Sequence, residues 1–210
     1  MLYPLPYNPG VLGSWDVALF RWINEAWSSP FFDAVFRFFS LGIKVLALKI
    51  ILLGAFAAFL AAGRRARAAA LQAMAAWPVA NELADVFKHV LPTERPCNII
   101  EGVRLITDYS GKVMFLDSSG TMSAHSANMA AIAMVLTLRL GKWGIPWIAV
   151  ALLTGLSRIY TGVHFPSQVM LGWLGGVVLG WIVVKTWDAF VALRATRPSN
   201  PEPTVDPSDR

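Results

Sequence analysis

Residues 157–186, SRIYTGVHFPSQVMLGWLGGVVLGWIVVKT, join a few polar residues to a long apolar run. The part at 167–186 contains a single charged residue and is as long as a helix that crosses a bilayer. Arg158 and His164 stand before it, six residues apart, and Gln168 follows four residues after the histidine. The apolar run predicts a membrane helix, and the polar residues at its start need a separate explanation.

The composition of the whole chain favours a membrane protein. Its 210 residues are 56% hydrophobic and 15% charged, and the mean hydropathy is +0.53. Soluble domains have about 45–50% apolar and about 25% charged residues. Nine tryptophans fit the same class, because Trp gathers at membrane–water interfaces. The net charge of +5 is scattered between apolar runs and forms no basic face, so we expect no nucleic-acid partner.

Five segments are long and apolar enough to be predicted as spans. They are residues 43–62, 68–87, 122–139, 145–163 and 167–186. The loops at 63–67 and 139–143, and the residues after the fifth span, share a basic bias that places them in the cytoplasm. The predicted fold is an all-α, multi-pass transmembrane bundle of about five spans. It occupies a membrane domain of residues 1–187, and a disordered cytoplasmic tail rich in Pro, Ser and acidic residues follows at 188–210.

Residues 11–28 are predicted to form an amphipathic helix lying in the membrane interface. Its apolar stripe, at alternating spacings of three and four residues, is Leu12, Trp15, Leu19, Trp22 and Ala26, and the polar residues off the stripe are Asp16, Asn24 and Glu25. An ordinary core helix is the alternative. The aromatic segment FFDAVFRFF, residues 31–39, is predicted to lead into the first span. With the basic loops inside, the opening helix and the loop at 88–121 lie outside.

The second predicted span carries ionisable residues, which inside a bilayer usually face a protein interior or a water-filled site. Asn81, Asp85 and Lys88 lie at positions i, i+4 and i+7, on one helical face that runs to the outer surface. Two interpretations stay open: Asp85 neutralises Lys88, or Asp85 takes a direct part in a site.

Three polar clusters fall at the outer ends of the predicted spans. The first is KHVLPTERP (88–96), with Lys88 and Arg95, and the second is SSGTMSAHSANMA (118–130), with Ser123 and His125. The third is the segment 157–170, with Arg158 and His164. Three cations on one face favour an anion, and a phosphoryl group spreads its charge over several oxygens. A neutral imidazole can attack phosphorus, and a second one can protonate the leaving oxygen and then activate water. The clusters together predict phosphoryl chemistry at the outer surface.

In these clusters the chain resembles the type-2 phosphatidic acid phosphatase superfamily, whose signature is K-x6-RP, then PSGH, then SR-x5-H-x3-D. Residues 88–96 fit the first motif completely, and SRIYTGVH at 157–164 fits the third as far as its histidine. MSAH at 122–125 keeps the Ser and His of the middle motif, with Met and Ala in place of Pro and Gly.

The resemblance implies a role for each matching residue. His164 would be the nucleophile that attacks phosphorus, and His125 the general acid. The implied phosphate-binding residues are Lys88, Arg95, Arg158 and Ser123, with the backbone of Ala124. The resemblance also implies a reaction without metal, and the sequence has no Cys, His and Asp cluster at metal-ligand spacing. We therefore expect no cofactor.

The chain departs from the third motif at Gln168, where the family has an aspartate that orients the nucleophile. The amide oxygen can accept a hydrogen bond from the imidazole, but it has no charge to stabilise an imidazolium. In the serine-protease triad, exchanging the aspartate for its amide lowers turnover about 10⁴-fold. Three interpretations stay open: an enzyme that uses Gln168, one that borrows a carboxylate from the outer loops, or an attenuated relative. The candidate carboxylates are Glu94, Glu101, Asp108 and Asp117.

The sequence predicts a membrane lipid phosphatase, similar to bacterial undecaprenyl-diphosphate and lipid phosphate phosphatases. It would hydrolyse a phosphate or diphosphate monoester of a lipid through a phospho-histidine intermediate. Its expected partners are that lipid and the bilayer, and its expected location is the cell membrane, with the site on the extracytoplasmic (periplasmic) side. A phosphotransferase with the same intermediate and a non-catalytic lipid-phosphate binder are the alternatives. A transporter is disfavoured because no duplicated half with paired broken helices is visible.

Overall fold

The computed structural model describes residues 13–196, which are almost entirely helical. The helices are α1 (Gly13–Arg21), α2 (Pro30–Leu41), α3 (Leu46–Ala61), α4 (Arg64–Val90), α5 (Pro96–Ile99), α6 (Ala124–Leu140), α7 (Ile145–Tyr160) and α8 (Pro166–Ala195). A π-helical turn, Trp22–Ala26, follows α1, and the 3₁₀ turns Gly42–Lys44 and Gly141–Gly144 connect α2 to α3 and α6 to α7. Between 13 and 196, extended pairing is limited to an isolated bridge between Thr107 and Val113. The all-α prediction is confirmed for these residues.

Each predicted span corresponds to a helix, namely α3, α4, α6, α7 and α8. The helical stretches Ala124–Tyr160 and Pro166–Ala195 are long and apolar enough to cross a membrane. Helices α2 and α3, which meet at 55°, qualify as a third crossing if the pair spans together. In α4, charged residues lie towards both ends and lower its hydropathy. The structure therefore confirms apolar membrane-type helices, and five crossings stay a prediction.

A stripe of glycines on α8 brings this helix against α6. Gly172, Gly176 and Gly180 recur every four residues, and a methyl group on any of them would stand 2.2–2.6 Å from a backbone carbonyl oxygen of α6. Only glycine permits so close an approach. As a result the two helices begin side by side, and the backbone N–H of Ser123 donates to the carbonyl of Gln168 at 3.1 Å.

Helix α2 precedes α3 as predicted, but it bends away and packs on α7. The ring centroids of Phe36 and Tyr160 lie 4.6 Å apart, and the Tyr160 hydroxyl donates to Asp33 at 2.6 Å. Aromatic packing and a hydrogen bond together hold α2 on α7. The segment predicted as a lead into the first span thus contacts the helix that carries Arg158.

The helix predicted at 11–28 is present as α1 and the π-helical turn, although its first two residues lie outside the described part of the chain. Trp15 and Trp22 are exposed, whereas Asp16 and Asn24 are buried. Asn24 donates to two backbone carbonyls, and Asp16 accepts from the N–H and hydroxyl of Ser167 in the first turn of α8. Asp16 and Asn24 turn inward because the protein supplies these partners, whereas Glu25 is exposed. An outward Trp face suits the interfacial position, which stays a prediction.

The predicted disorder needs a correction at residues 188–195, because α8 continues to Ala195, whereas the domain boundary at 187 stays a prediction. The sequence WDAFVALRA at 187–195 is rich in good helix formers and contains no Gly or Pro, so nothing stops the helix at 187. Asp188 also accepts a hydrogen bond from Arg139 at 2.6 Å, which ties this part of α8 to α6. Residues 197–210 of the predicted tail lie outside the described residues.

Candidate active site

The predicted site residues meet where α4 and α7 end and α6 and α8 begin. Arg95, in the loop after α4, donates from Nη1 to His164 Nε2 at 2.9 Å, which joins the first and third motifs. The hydrogen bond from Ser123 to Gln168 joins the second and third. The packing thus unites all three clusters at one end of the bundle.

His164 is held in a tight turn directly after α7. Gly162 has φ of +82°, a left-handed conformation that favours glycine, and a Cβ there would stand 2.8 Å from two neighbouring side chains. The backbone N–H of His164 donates to the carbonyl of Arg158 at 3.2 Å. The turn buries the imidazole and directs it towards the first two motifs.

The hydrogen bonds around Gln168 determine which ring nitrogen of His164 carries the proton. Gln168 Oε1 accepts from the backbone N–H of Phe165 at 3.1 Å, and Nε2 donates to the carbonyl of Glu94 at 2.8 Å, so the amide has one consistent orientation. His164 Nδ1 lies 3.1 Å from Gln168 Oε1 and 3.2 Å from the carbonyl of Gly120, and both are acceptors. Nδ1 therefore carries the hydrogen, and the lone pair is on Nε2.

The candidate carboxylates do not take the place of the missing aspartate. Glu94 accepts from Asn98 at 3.3 Å, and Asp108 accepts from the residues of its own turn. Among residues 13–196, the imidazole of His164 has hydrogen-bond contacts to Arg95, Gly120 and Gln168, and to no carboxylate. The geometry favours direct use of Gln168 over a borrowed carboxylate.

Arg95 holds two loops together and also contacts His164. Its guanidinium donates to the carbonyls of Ser118 at 2.6 Å, Ser119 at 2.9 Å and Val163 at 2.9 Å. These bonds fasten the loop before α6 to the turn that holds His164. Arg95 is buried, and its donors are already largely used by the protein.

Arg158, by contrast, is buried with little of its donor capacity used. Its Nη1 donates to the hydroxyl of Ser40 at 2.5 Å, and its Nε is buried without a partner. The positive charges of Arg158, Arg95 and Lys88 all act on His125. This surplus of positive charge beside two imidazoles suits an anionic ligand.

The middle motif contributes the beginning of α6. Ser123 is its N-cap, accepting from the N–H of Ser126 at 3.4 Å and from the Ser126 hydroxyl at 2.9 Å. Ala124 is the first helical residue, so its N–H belongs to the free N-terminal donors that favour anions. His125 is exposed, and its ring makes no hydrogen bond within the described residues. His125 is therefore free to meet a ligand.

Lys88 lies in the last turn of α4 and is paired. Its Nζ stands 2.6 Å from Asp85 Oδ1, and Asn81 donates to the other oxygen of Asp85 at 3.3 Å. Of the two interpretations of Asp85, the geometry supports neutralisation of Lys88. The ammonium keeps further donors for a ligand because Lys has three.

Burial lowers the pKa of His164 well below its usual range, and the positive charges of Arg95 and Arg158 lower it further. At neutral pH the imidazole is neutral, which is the form that can attack phosphorus. Among residues 13–196, no group of three or more His, Cys, Asp or Glu side chains is placed to hold a metal ion.

Sequence reasoning missed several groups around the site. The carbonyls of Gly120, Ser118 and Ser119 leave no side-chain signal, because any residue has a carbonyl. Thr93, whose hydroxyl accepts from Gln168 Nε2 at 3.1 Å, sits inside the first motif but outside its fixed letters. Ser40 is 118 positions from Arg158 in the chain, and no sequence pattern links them.

The chain is similar in sequence to known proteins. A family model of the PAP2 superfamily matches residues 66–191. The chain is 31% identical over 127 residues to an undecaprenyl-diphosphatase of Sulfolobus acidocaldarius, covering 58% of this chain and 57% of that protein. It is 29% identical over 105 residues to a lipid A 1-phosphatase of Rhizobium etli, covering 50% and 43%. The matches thus span about half the length of these relatives.

Solved structures share the fold. LpxE of Aquifex aeolicus superposes with a TM-score of 0.66 and 25% identity, over 87% of this chain and 99% of that one. A PAP2-type phosphatidylglycerolphosphate phosphatase of Bacillus subtilis gives a TM-score of 0.64 over 87% and 88%, and at 22% identity this likeness concerns the fold alone.

Proposed function

The chain belongs to the PAP2 superfamily, and from this membership and the site we propose that it hydrolyses a phosphate or diphosphate monoester of a membrane lipid. The observation that carries the proposal is the His164 imidazole, with its proton fixed on Nδ1 and its Nε2 lone pair beside Arg95. This arrangement suits a nucleophile and supports transfer of a phosphoryl group to Nε2.

The reaction proceeds in two steps. In the first, His164 Nε2 bonds to phosphorus, the bond from phosphorus to the lipid oxygen breaks, and His125 gives that oxygen a proton. Arg158 holds the phosphoryl oxygens, and Arg95 transfers to them the Nη1–H that donates to Nε2 before the attack. The carbonyl of Gly120 and the amide of Gln168 hold Nδ1–H. In the second, the oxygen of water bonds to phosphorus, the bond from phosphorus to His164 Nε2 breaks, His125 takes a proton from the water, and phosphate leaves.

The proposed membrane topology rests on the basic residues at the end of the bundle opposite the site. Arg139 donates to Gln72 at 2.8 Å and to Asp188 at 2.6 Å, so the basic segments around 63–67, 139–143 and 185–196 belong to one end, opposite the site. We assign this end to the cytoplasm by the positive-inside rule and the site to the extracytoplasmic face. Five helices, α3, α4, α6, α7 and α8, then cross the membrane, and the exposed apolar side chains of α3 contact lipid.

The substrate class is a lipid that carries its phosphate at the membrane surface. The names of the matched relatives include an undecaprenyl-diphosphatase and a lipid A 1-phosphatase, which have a lipid phosphate or diphosphate in common. The site lies at helix ends, where a headgroup reaches it while the tail stays in the bilayer.

The test is phosphate release by the purified protein in detergent, in the presence of EDTA, from undecaprenyl diphosphate, lipid A and phosphatidylglycerolphosphate. We expect release from at least one of these, and its loss in His164→Ala. Phosphate release by His164→Ala at the wild-type rate would refute the mechanism. Thr186→Ala, which removes a hydroxyl bonded only within its own helix, is the control.

A further inference from the structure

Arg158 is a buried cation that the protein leaves largely unsatisfied. Only 3% of its surface is exposed, and within residues 13–196 its guanidinium makes a single hydrogen bond, from Nη1 to Ser40. Its Nε is buried without a partner, and the ion pairs of the described residues do not include it. A buried charge without a counter-ion is costly, so this position favours binding of an anion.

The position of the one hydrogen bond decides which edge of the guanidinium is free. Nε and Nη2 form one edge of the planar group, and their N–H bonds are parallel, as bidentate binding of phosphate requires. Ser40 accepts from Nη1, and within residues 13–196 the N–H groups of the other edge have no protein partner. A hydrogen bond at one corner restricts rotation of the guanidinium and so limits the directions in which that edge points.

Ser40 is itself fixed by the packing of α2. Its side chain is buried, with 2% of the residue exposed, and it lies on the face of α2 that also carries Asp33 and Phe36, at positions i, i+3 and i+7. Both of these contact Tyr160, two residues after Arg158. The serine and the arginine therefore belong to one rigid contact between α2 and α7. This part of α2 lies outside residues 66–191, which the family match covers.

We propose that Ser40 is a positioning residue of the phosphoryl site. Its hydroxyl fixes Nη1 of Arg158, so that Nε and Nη2 present two parallel donors to the reacting phosphoryl group. Ser40 acts through Arg158 and does not touch the substrate. The inference rests on the proposed function for its effect on turnover, but its effect on anion binding is independent of turnover.

The test is a double-mutant cycle on phosphate release. Ser40→Ala is expected to lower kcat/KM by about 10- to 100-fold, the range for a hydrogen bond to a charged group. Ser40→Thr, which keeps the hydroxyl, is expected to retain most of the activity. In an Arg158→Lys background, Ser40→Ala is expected to change kcat/KM by less than about twofold, because the bond is already lost. A loss below about twofold in the single variant, or an equal loss in both backgrounds, would overturn the proposal.

Two further measurements separate this inference from the proposed function and from misfolding. Asp33→Asn weakens the attachment of α2 without contacting Arg158, so it is expected to lower the thermal midpoint with a smaller loss of activity than Ser40→Ala. If the wild type releases no phosphate from any lipid, the proposed function fails, and binding of inorganic phosphate and orthovanadate to the protein becomes the readout. We expect about tenfold weaker binding in Ser40→Ala than in Ser40→Thr. Equal binding in both, or none in the wild type, would overturn the inference.

Discussion

Replacing Gln168 by the aspartate of the family motif is expected to weaken this protein, not to improve it. The amide makes four hydrogen bonds: Oε1 accepts from His164 and Phe165, and Nε2 donates to Thr93 and Glu94, at 2.8–3.1 Å. Aspartate is shorter by one carbon–carbon bond, about 1.5 Å. Without movement of α8, each contact lengthens beyond hydrogen-bonding distance.

The magnitude follows from these four bonds. A neutral hydrogen bond contributes about 1 kcal/mol, so losing all four costs on the order of 3–4 kcal/mol of stability. For turnover only the contact to His164 counts, and the carbonyl of Gly120 still holds Nδ1–H. The expected loss in kcat/KM is about 5- to 10-fold, from about 1 kcal/mol of positioning energy. The added charge stabilises an imidazolium only if it reaches the ring.

Three variants separate length from charge. Gln168→Asn shortens the side chain without adding charge, Gln168→Glu adds charge without shortening it, and Gln168→Asp does both. Each is assayed for phosphate release from a lipid phosphate and for thermal unfolding in detergent. Gln72→Asn is the control for shortening alone, because Gln72 is also a buried glutamine but lies in the first half of α4, away from the site. We expect Asn and Asp to lose stability and activity together. Higher kcat/KM in Gln168→Asp than in the wild type would show that the glutamine is a defect, and would refute the reasoning.

Two arginine variants and one pH experiment complete the tests. Arg95→Lys is expected to lose both activity and thermal stability, because it breaks hydrogen bonds to several loop carbonyls. Arg158→Lys is expected to lose activity with little loss of stability, because Arg158 makes a single hydrogen bond within residues 13–196. Equal thermal midpoints of the two variants would contradict this difference. Because burial lowers the pKa of His164, the unfolded chain binds a proton below about pH 6.5 that the folded protein does not, so stability declines as pH falls. Thermal midpoints between about pH 7.5 and 5 are expected to fall less steeply in His164→Asn, and identical slopes would contradict the assignment.

The apolar runs determine the class of fold because their length and hydropathy are local properties of the chain. Each predicted span contains a helix, and the three motifs lie at the predicted helix ends. Disorder is predicted from residue 188, but residues 188–195 are helical, because the strong helix formers of this segment prevail over its charges.

The motifs predict which residues carry the chemistry, but not the partners of those residues. The sequence alone does not decide whether Gln168 orients His164, because the reach of the side chain depends on where its helix begins. The glycine stripe on α8 sets that start against Ser123, and the left-handed turn at Gly162 turns the imidazole towards it. These are contacts between segments far apart in the chain, and only packing decides them.

Helix α1 and α2 show the limit of sequence patterns most clearly. Periodicity identified a polar and an apolar face on the helix predicted at 11–28, but it did not show that Asp16 and Asn24 face the protein. A polar side chain suits water or a buried partner equally well, and the partner exists only once the chain has folded. For the same reason Ser40 carries no signal in the sequence, and its hydroxyl acquires a role only where α2 meets Arg158. Local composition determined the membrane-type helices and the motifs predicted phosphate chemistry, whereas the tertiary contacts decided how each predicted catalytic side chain is held.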